Sequence, residues 1–130
     1  MADEQLDFPP EEIPNADSVF MRAHRDYIRD GNLQPGVFRA REGGMSVDWS
    51  KYSSAEDTRQ RASRYPERNA VIKMGVGDIR SIPTLEVRHS PKPDNRAHAD
   101  TILPEIQEDL TQARFELRRI AEVVIPLPIE

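Results

Sequence analysis

A regular stripe of apolar residues near the C-terminus constrains the fold of this chain more than any other feature of its sequence. The stripe has the spacing of a heptad seam and consists of Ile106, Leu110, Ala113, Leu117, Ile120 and Val124. Pro104 suits a first helical turn, and acidic residues precede basic ones as the helix dipole favours. We expect one long amphipathic helix, followed by an apolar tail at residues 125–129 whose prolines prevent helix.

Such a helix buries its seam either on the sheet of its own chain or on another molecule. A strict heptad stripe is narrower than the face of a helix that packs on a globular core, which favours intermolecular packing. On that basis the sequence predicts a protein–protein assembly module. Residues 103–130 are expected to form a homo-oligomer or to dock on a protein partner.

The rest of the chain divides into an acidic end and a longer mixed segment. Residues 1–16 are rich in acids and contain three prolines, so a disordered acidic tail is expected there. Residues 17–102 contain short runs of alternating apolar and polar residues, which are typical of strands. A chain of 130 residues has room for one domain. The predicted organisation is therefore this tail, a core at residues 17–102, and the C-terminal helix and tail at residues 103–130.

Two short runs position the side chains of most interest. Residues 18–24 fit either a helix or a strand; we favour the strand, which points Arg22 and His24 to one face. Residues 45–49 also alternate, so that Trp49 faces the core while Asp48 faces solvent.

The sequence therefore predicts an α+β fold. Its parts are a small, mostly antiparallel sheet of four or five strands, a polar surface helix near residues 54–64, and the long C-terminal helix. Ser53, with Glu56 three residues later, forms a capping box that would begin the surface helix.

Composition excludes several classes of protein. The chain has no cysteine, which excludes disulfides, thiolate nucleophiles and Cys-ligated metals. No apolar run approaches the ~18 residues that a membrane span needs, and the N-terminus lacks the pattern of a secretory signal. We expect a cytoplasmic protein that does not bind membranes.

The net charge of −5 conceals a basic middle between two acidic ends. A basic patch suits phosphate or an acidic partner. The arginines between Arg59 and Arg68 are accompanied by Glu56, Asp57 and Glu67 and have few aromatic neighbours, so weak nucleic-acid binding is only the third alternative and nucleic acid is not the expected partner.

No sequence motif identifies a metal or a cofactor. His89 and His98 do not have the spacing of a ligand pair, and no glycine-rich phosphate loop is present. We therefore predict neither a metal nor a cofactor.

A second function is compatible with the residues of the core. Arg22 and His24 on one strand and Ser46 on another suit a nucleotide-binding cleft, in an order similar to that of ADP-ribosyltransferase folds. The Ser-Thr-Ser run and the paired glutamates of those enzymes are missing. The alternative prediction is an enzyme or ligand-binder acting on a nucleotide or other phosphorylated compound. The catalytic candidates are Arg22, His24, Ser46 and His98.

The core also contains four short motifs, Phe20-Met-Arg22, Phe38, Gly44-Met-Ser-Val-Asp48 and Asn95-Arg-Ala-His-Ala99. In these motifs the chain resembles a family of small, uncharacterised bacterial proteins over residues 19–102. The resemblance implies a boundary after residue 102 and carries no activity. It draws attention to Arg22, Ser46, Asp48, Asn95 and His98, of which Arg22, Asn95 and His98 are the ligand-binding candidates.

Overall fold

The computed structural model describes residues 8–40 and 44–128, and in these residues eight strands and three α-helices follow one another. The strands are β1 (Ser18–His24), β2 (Ile28–Arg29), β3 (Asn32–Leu33), β4 (Met45–Trp49), β5 (Asn69–Gly75), β6 (Glu86–His89), β7 (His98–Ile102) and β8 (Glu122–Ile125). The helices are α1 (Ala55–Gln60), α2 (Val76–Arg80) and α3 (Gln107–Ile120). Short 3-10 helices lie at Arg25–Tyr27, Pro35–Val37 and Pro66–Arg68.

Six of the strands form one sheet in the order β6-β7-β4-β1-β5-β8, and β2 and β3 form a separate hairpin. All pairs in the sheet are antiparallel. The predicted α+β class is confirmed, with a sheet larger than the four or five strands expected. Residues 18–24 form a strand, as favoured from the sequence.

The central strand β1 is paired very unequally on its two sides. Its register with β5 runs along the whole strand, whereas its register with β4 covers only Val19↔Trp49 and Phe20↔Asp48. The sheet is therefore open between β1 and β4 from Arg22 onward.

The two faces of the sheet differ in what covers them. In β1, Val19, Met21 and Ala23 belong to the hydrophobic core, because alternate strand residues point to the same side. Side chains of α2 and α3, together with Phe38 and Trp49, complete this core. The opposite face carries α1 and is polar where α1 does not cover it.

Helix α3 packs on the core of its own chain. Leu117 is 0% exposed and Ala113 is buried, whereas Ile106, one residue before the helix, is 63% exposed. The predicted helix through Val124 is wrong at its end, because α3 stops at Ile120 and Val124 lies in β8. A β-branched run followed by proline favours a strand over further helix, and β8 pairs with β5 at the sheet edge.

The N-terminal segment at residues 8–16 packs against the domain, which corrects the prediction of a disordered tail. Ile13 is buried in the core, and its carbonyl accepts a 2.7 Å hydrogen bond from Arg80 Nη1. The backbone N–H of Glu11 donates to His89 Nδ1 at 2.9 Å. The other residues of the predicted tail, 1–7, lie outside the described residues, as do residues 129–130 at the C-terminus.

Helix α1 is shorter than predicted and begins one residue later. Its N-cap is Ser54, whose Oγ accepts from the N–H of Asp57 at 3.0 Å while Asp57 Oδ2 accepts from the N–H of Ser54. The capping box is therefore Ser54–Asp57, not Ser53–Glu56. Ser53 instead bonds to the Thr58 hydroxyl at 2.9 Å. In residues 8–40 and 44–128 no helix is long and apolar enough to cross a bilayer.

Candidate functional site

A polar cleft of about 300 Å³ lies on the face of the sheet that is opposite the core. Its floor is formed by β1, β4 and β7, and its walls by α1 and the loop that precedes β7. Its lining includes Arg22, Ser46, Asp48, Arg61, Asn95 and His98.

The floor of the cleft follows from the two-residue period of the strands. Arg22 alternates with the core residues of β1, as Ser46 and Asp48 do with those of β4. Asp48 stands opposite His98 of β7 in the strand register. Three strands therefore contribute polar side chains to one surface, although these residues are far apart in the sequence.

The carboxylate of Asp48 holds the walls of the cleft in place. Its Oδ2 accepts hydrogen bonds from Thr58 Oγ1 and from Arg61 Nη1, each at 2.8 Å. Its Oδ1 accepts from Asn95 Nδ2 at 2.9 Å. The residue is 5% exposed, which corrects the prediction that Asp48 faces solvent. A buried carboxylate needs such partners, and here they tie both α1 and the loop to β4.

Arg22 is a half-buried cation at the open end of the β1–β4 pairing. Its Nη1 donates to the Thr58 carbonyl at 2.7 Å. Burial lowers the pKa of the Arg22 guanidinium; the charge of Asp48 partly opposes this shift and that of Arg61 adds to it. No carboxylate in residues 8–40 and 44–128 lies within ion-pair distance of Arg22.

His98 has its ring orientation and tautomer set by its neighbours. Nδ1 lies 2.9 Å from the Ser90 carbonyl, which can only accept, so Nδ1 carries the proton in the neutral ring. Nε2 is then an acceptor, and the Ser46 hydroxyl lies 3.2 Å from it. Asp100 Oδ1 is 3.9 Å from Nε2, and Asp100 Oδ2 accepts from Ser90 Oγ at 2.8 Å. His98 is buried, whereas Ser46 is exposed.

His24 lies outside this cleft, in a second recess of about 240 Å³ that shares Arg22 and Ser46 with the first. Its Nδ1 accepts from the backbone N–H of Asp26 at 3.1 Å. The sequence candidates Arg22, Ser46, Asn95 and His98 thus come together, while His24 is a neighbour of the group.

Sequence reasoning missed two members of the site, Thr58 and Arg61. Both belong to the α1 region, which was interpreted only as a polar surface helix. The available signal was their spacing of three residues, which puts two polar side chains on the same side of one turn.

His89, the other histidine of interest, lies on the core face of the sheet. Its Nε2 is 2.7 Å from the Arg96 carbonyl, and its Nδ1 accepts from Glu11. Because His89 and His98 face opposite sides, they cannot ligate one ion together. Among residues 8–40 and 44–128, no group of three or more His, Asp or Glu side chains has an arrangement that could hold a metal ion.

Comparison with known proteins gives no relative from which a function can be transferred. No protein-family model matches the chain, and no curated protein or solved structure matches it. The resemblance to small bacterial proteins stays a prediction, and function has to be argued from the cleft itself.

Proposed function

We propose that the cleft binds a phosphorylated small molecule such as a nucleotide. The observation that carries this proposal is Arg22, a half-buried guanidinium whose one hydrogen bond within residues 8–40 and 44–128, to Thr58, uses a single donor. Guanidinium groups bind phosphate oxygens in pairs with good geometry. An anion held at Arg22 would replace the solvent that burial removes from the guanidinium.

The charges around the cleft favour an anion over a cation. Asp48 is paired with Arg61 at 2.8 Å, so these two charges offset each other. Of the other charged groups in the lining, Arg22 and Lys92 outnumber Asp94. The volume of about 300 Å³ lies at the lower end of the range for small-molecule sites, which suits a mononucleotide or a sugar phosphate.

Calorimetric titration with inorganic phosphate, AMP and ADP tests the proposal. We expect at least one of them to bind, and Arg22→Ala to weaken that binding by about tenfold or more, the effect of losing one charged hydrogen-bonding partner. Arg29→Ala is the matched control, since Arg29 is exposed in the separate β2–β3 hairpin. Absence of binding to all three compounds, or equal losses in both variants, would refute the proposal.

Assembly with a second copy through residues 103–130 is a second proposal. Among residues 103–128, three large apolar side chains remain substantially exposed, namely Ile106, Phe115 and Val123. Ala113 and Leu117 are already used in the core, so contact with a second copy would use the outer side of α3 and the edge strand β8. Light scattering on the full chain tests this: a dimer that Phe115→Glu makes monomeric supports it, and a monomer at all concentrations refutes it.

A further inference from the structure

We infer that the cleft is catalytic, with Ser46 as the nucleophile and His98 as its general base in the cleavage of a phosphate monoester. This inference rests on the proposed function, because the phosphoryl group is the part of the ligand that Arg22 would hold. It adds a reaction and assigns a role to each of the two residues.

A chain of hydrogen bonds passes through His98. A serine hydroxyl becomes a nucleophile when a base within hydrogen-bond reach accepts its proton and a third group orients that base. The Ser90 carbonyl fixes the proton of His98 on Nδ1, which leaves Nε2 free to accept from Ser46 at 3.2 Å. Asp100 Oδ1 lies 3.9 Å from Nε2, so a carboxylate stands beside the nitrogen that receives the proton.

The position of the pair leaves Ser46 accessible to a substrate. His98, the general base, is buried, whereas Ser46 is exposed and lines both recesses. The paired register of β1 and β4 stops at Phe20↔Asp48. Beyond this pair the two strands separate, and both Arg22 and Ser46 line each of the two recesses. A phosphoryl group on Arg22 would therefore lie in the same cleft as the Ser46 hydroxyl.

The charges of the cleft also suit phosphoryl transfer. Phosphoryl transfer spreads negative charge over three oxygens, and catalysis consists mainly of positioning and of stabilising that charge. Arg22 supplies a fixed cation whose guanidinium is already held by Thr58. The pairing of Asp48 with Arg61 keeps the buried carboxylate from repelling the substrate.

The reaction takes place in two steps. In the first, Ser46 Oγ forms a bond to phosphorus while its proton passes to His98 Nε2. The phosphorus–oxygen bond to the leaving alcohol then breaks, and His98 donates the proton to that oxygen. In the second, His98 takes a proton from water, the water oxygen attacks phosphorus, and the Oγ–phosphorus bond breaks with the proton returned to Ser46. The products are the alcohol and inorganic phosphate.

Covalent labelling with diisopropyl fluorophosphate tests the pair independently of phosphate binding, because this probe is uncharged. Attack by Ser46 forms an Oγ–phosphorus bond and expels fluoride, which adds one diisopropylphosphoryl group to the intact mass.

We expect one adduct, mapped to Ser46 by peptide mass spectrometry. Ser46→Ala should abolish it, and His98→Gln should slow it by about 100-fold or more, as expected for loss of a general base. Ser81→Ala, at an exposed serine on the opposite face, should label like the unchanged protein.

The same proteins are then assayed with p-nitrophenyl phosphate and titrated with inorganic phosphate. Hydrolysis that disappears in Ser46→Ala supports the inference, and circular dichroism checks that this surface variant is folded. Phosphate binding without labelling and without hydrolysis overturns the catalytic inference while leaving the proposed function intact. Labelling of Ser46 without any phosphate binding overturns the proposed function and the monoester substrate.

Discussion

Asn95 donates a 2.9 Å hydrogen bond to Asp48 Oδ1, which joins the loop before β7 to the C-terminal end of β4. The side-chain oxygen of Asn95 accepts from the N–H of Ala97 at 3.1 Å, so the amide is held at both ends. Asp48 thus holds both walls of the cleft, α1 and the loop before β7, through hydrogen bonds. Replacing Asp48 tests whether these bonds hold the walls in place.

Asp48→Ala should lower the free energy of unfolding by about 3 kcal/mol, since it removes the carboxylate partner of Arg61 and the acceptor of the Thr58 and Asn95 side chains. Arg61 is partly exposed, so water relieves some of this loss and a larger value is not expected. Urea unfolding monitored by Trp49 fluorescence measures the change. Asp26→Ala is the control, because the Asp26 side chain is 77% exposed, and a change of equal size there would contradict this account.

Leu117→Ala should lower the free energy of unfolding by about 3 kcal/mol, the usual effect of a cavity in a packed core. Ile106→Ala should change it by less than about 0.5 kcal/mol, because Ile106 is mostly exposed. Urea unfolding of both variants measures the contrast. If the two losses are equal, or if Leu117→Ala affects only oligomer mass, α3 does not belong to the core of its own chain.

Periodicity made part of the fold and of the site predictable from the sequence. Alternation over residues 18–24 points Arg22 and His24 to one side of their strand, and alternation over residues 45–49 puts Asp48 on the side opposite Trp49, because strand geometry fixes this within each strand. The heptad stripe likewise included Ala113 and Leu117, which are buried, but also Ile106, which is exposed. Periodicity does not say what buries Ala113 and Leu117, and here the partner is the chain's own sheet.

The features that could not be predicted depend on contacts between distant segments. Local signals made residues 103–130 look like one helix and its tail, but pairing of β8 with β5 converts residues 122–125 to strand. The N-terminal acids suggested disorder, yet Glu11 and Ile13 find partners across the fold. Asp48 is buried because α1 packs over it, and the alternation of residues in β4 does not predict that contact.

Stability should fall in acid partly through Glu11. Hydrogen bonds from Lys51 Nζ at 2.8 Å and from Tyr52 Oη at 2.5 Å lower the pKa of Glu11 below its ordinary value of 4.5. Because the folded value is the lower one, this stabilisation is complete above pH 4.5 and is lost as the pH falls through the folded value. Urea unfolding between about pH 6 and about pH 3 follows the loss.

The matched variant for this test is Glu11→Gln, which keeps the shape of the side chain but cannot titrate. We expect a shallower fall in unfolding free energy with acid than in the unchanged protein. Glu12→Gln changes an exposed neighbour and should leave the slope as it was. An unchanged slope in Glu11→Gln would show that the contacts with Lys51 and Tyr52 do not stabilise the fold.

Gly44→Ala should destabilise the fold by about 2 kcal/mol or more, for two separable reasons. Gly44 has φ +129°, and a Cβ there would lie 2.8 Å from the backbone oxygen of Thr101 in β7, which cannot move without shifting the strand. Gly31 also has positive φ, at +80°, but nothing lies within 4 Å of the position of its Cβ. Gly31→Ala should therefore lower the free energy of unfolding by about 1 kcal/mol, from backbone strain alone.

Urea unfolding compares the two variants. Only Gly44→Ala should also weaken phosphate binding, because β4 carries Ser46 and Asp48 into the cleft. Equal effects of the two substitutions would mean that β7 accommodates the added methyl group.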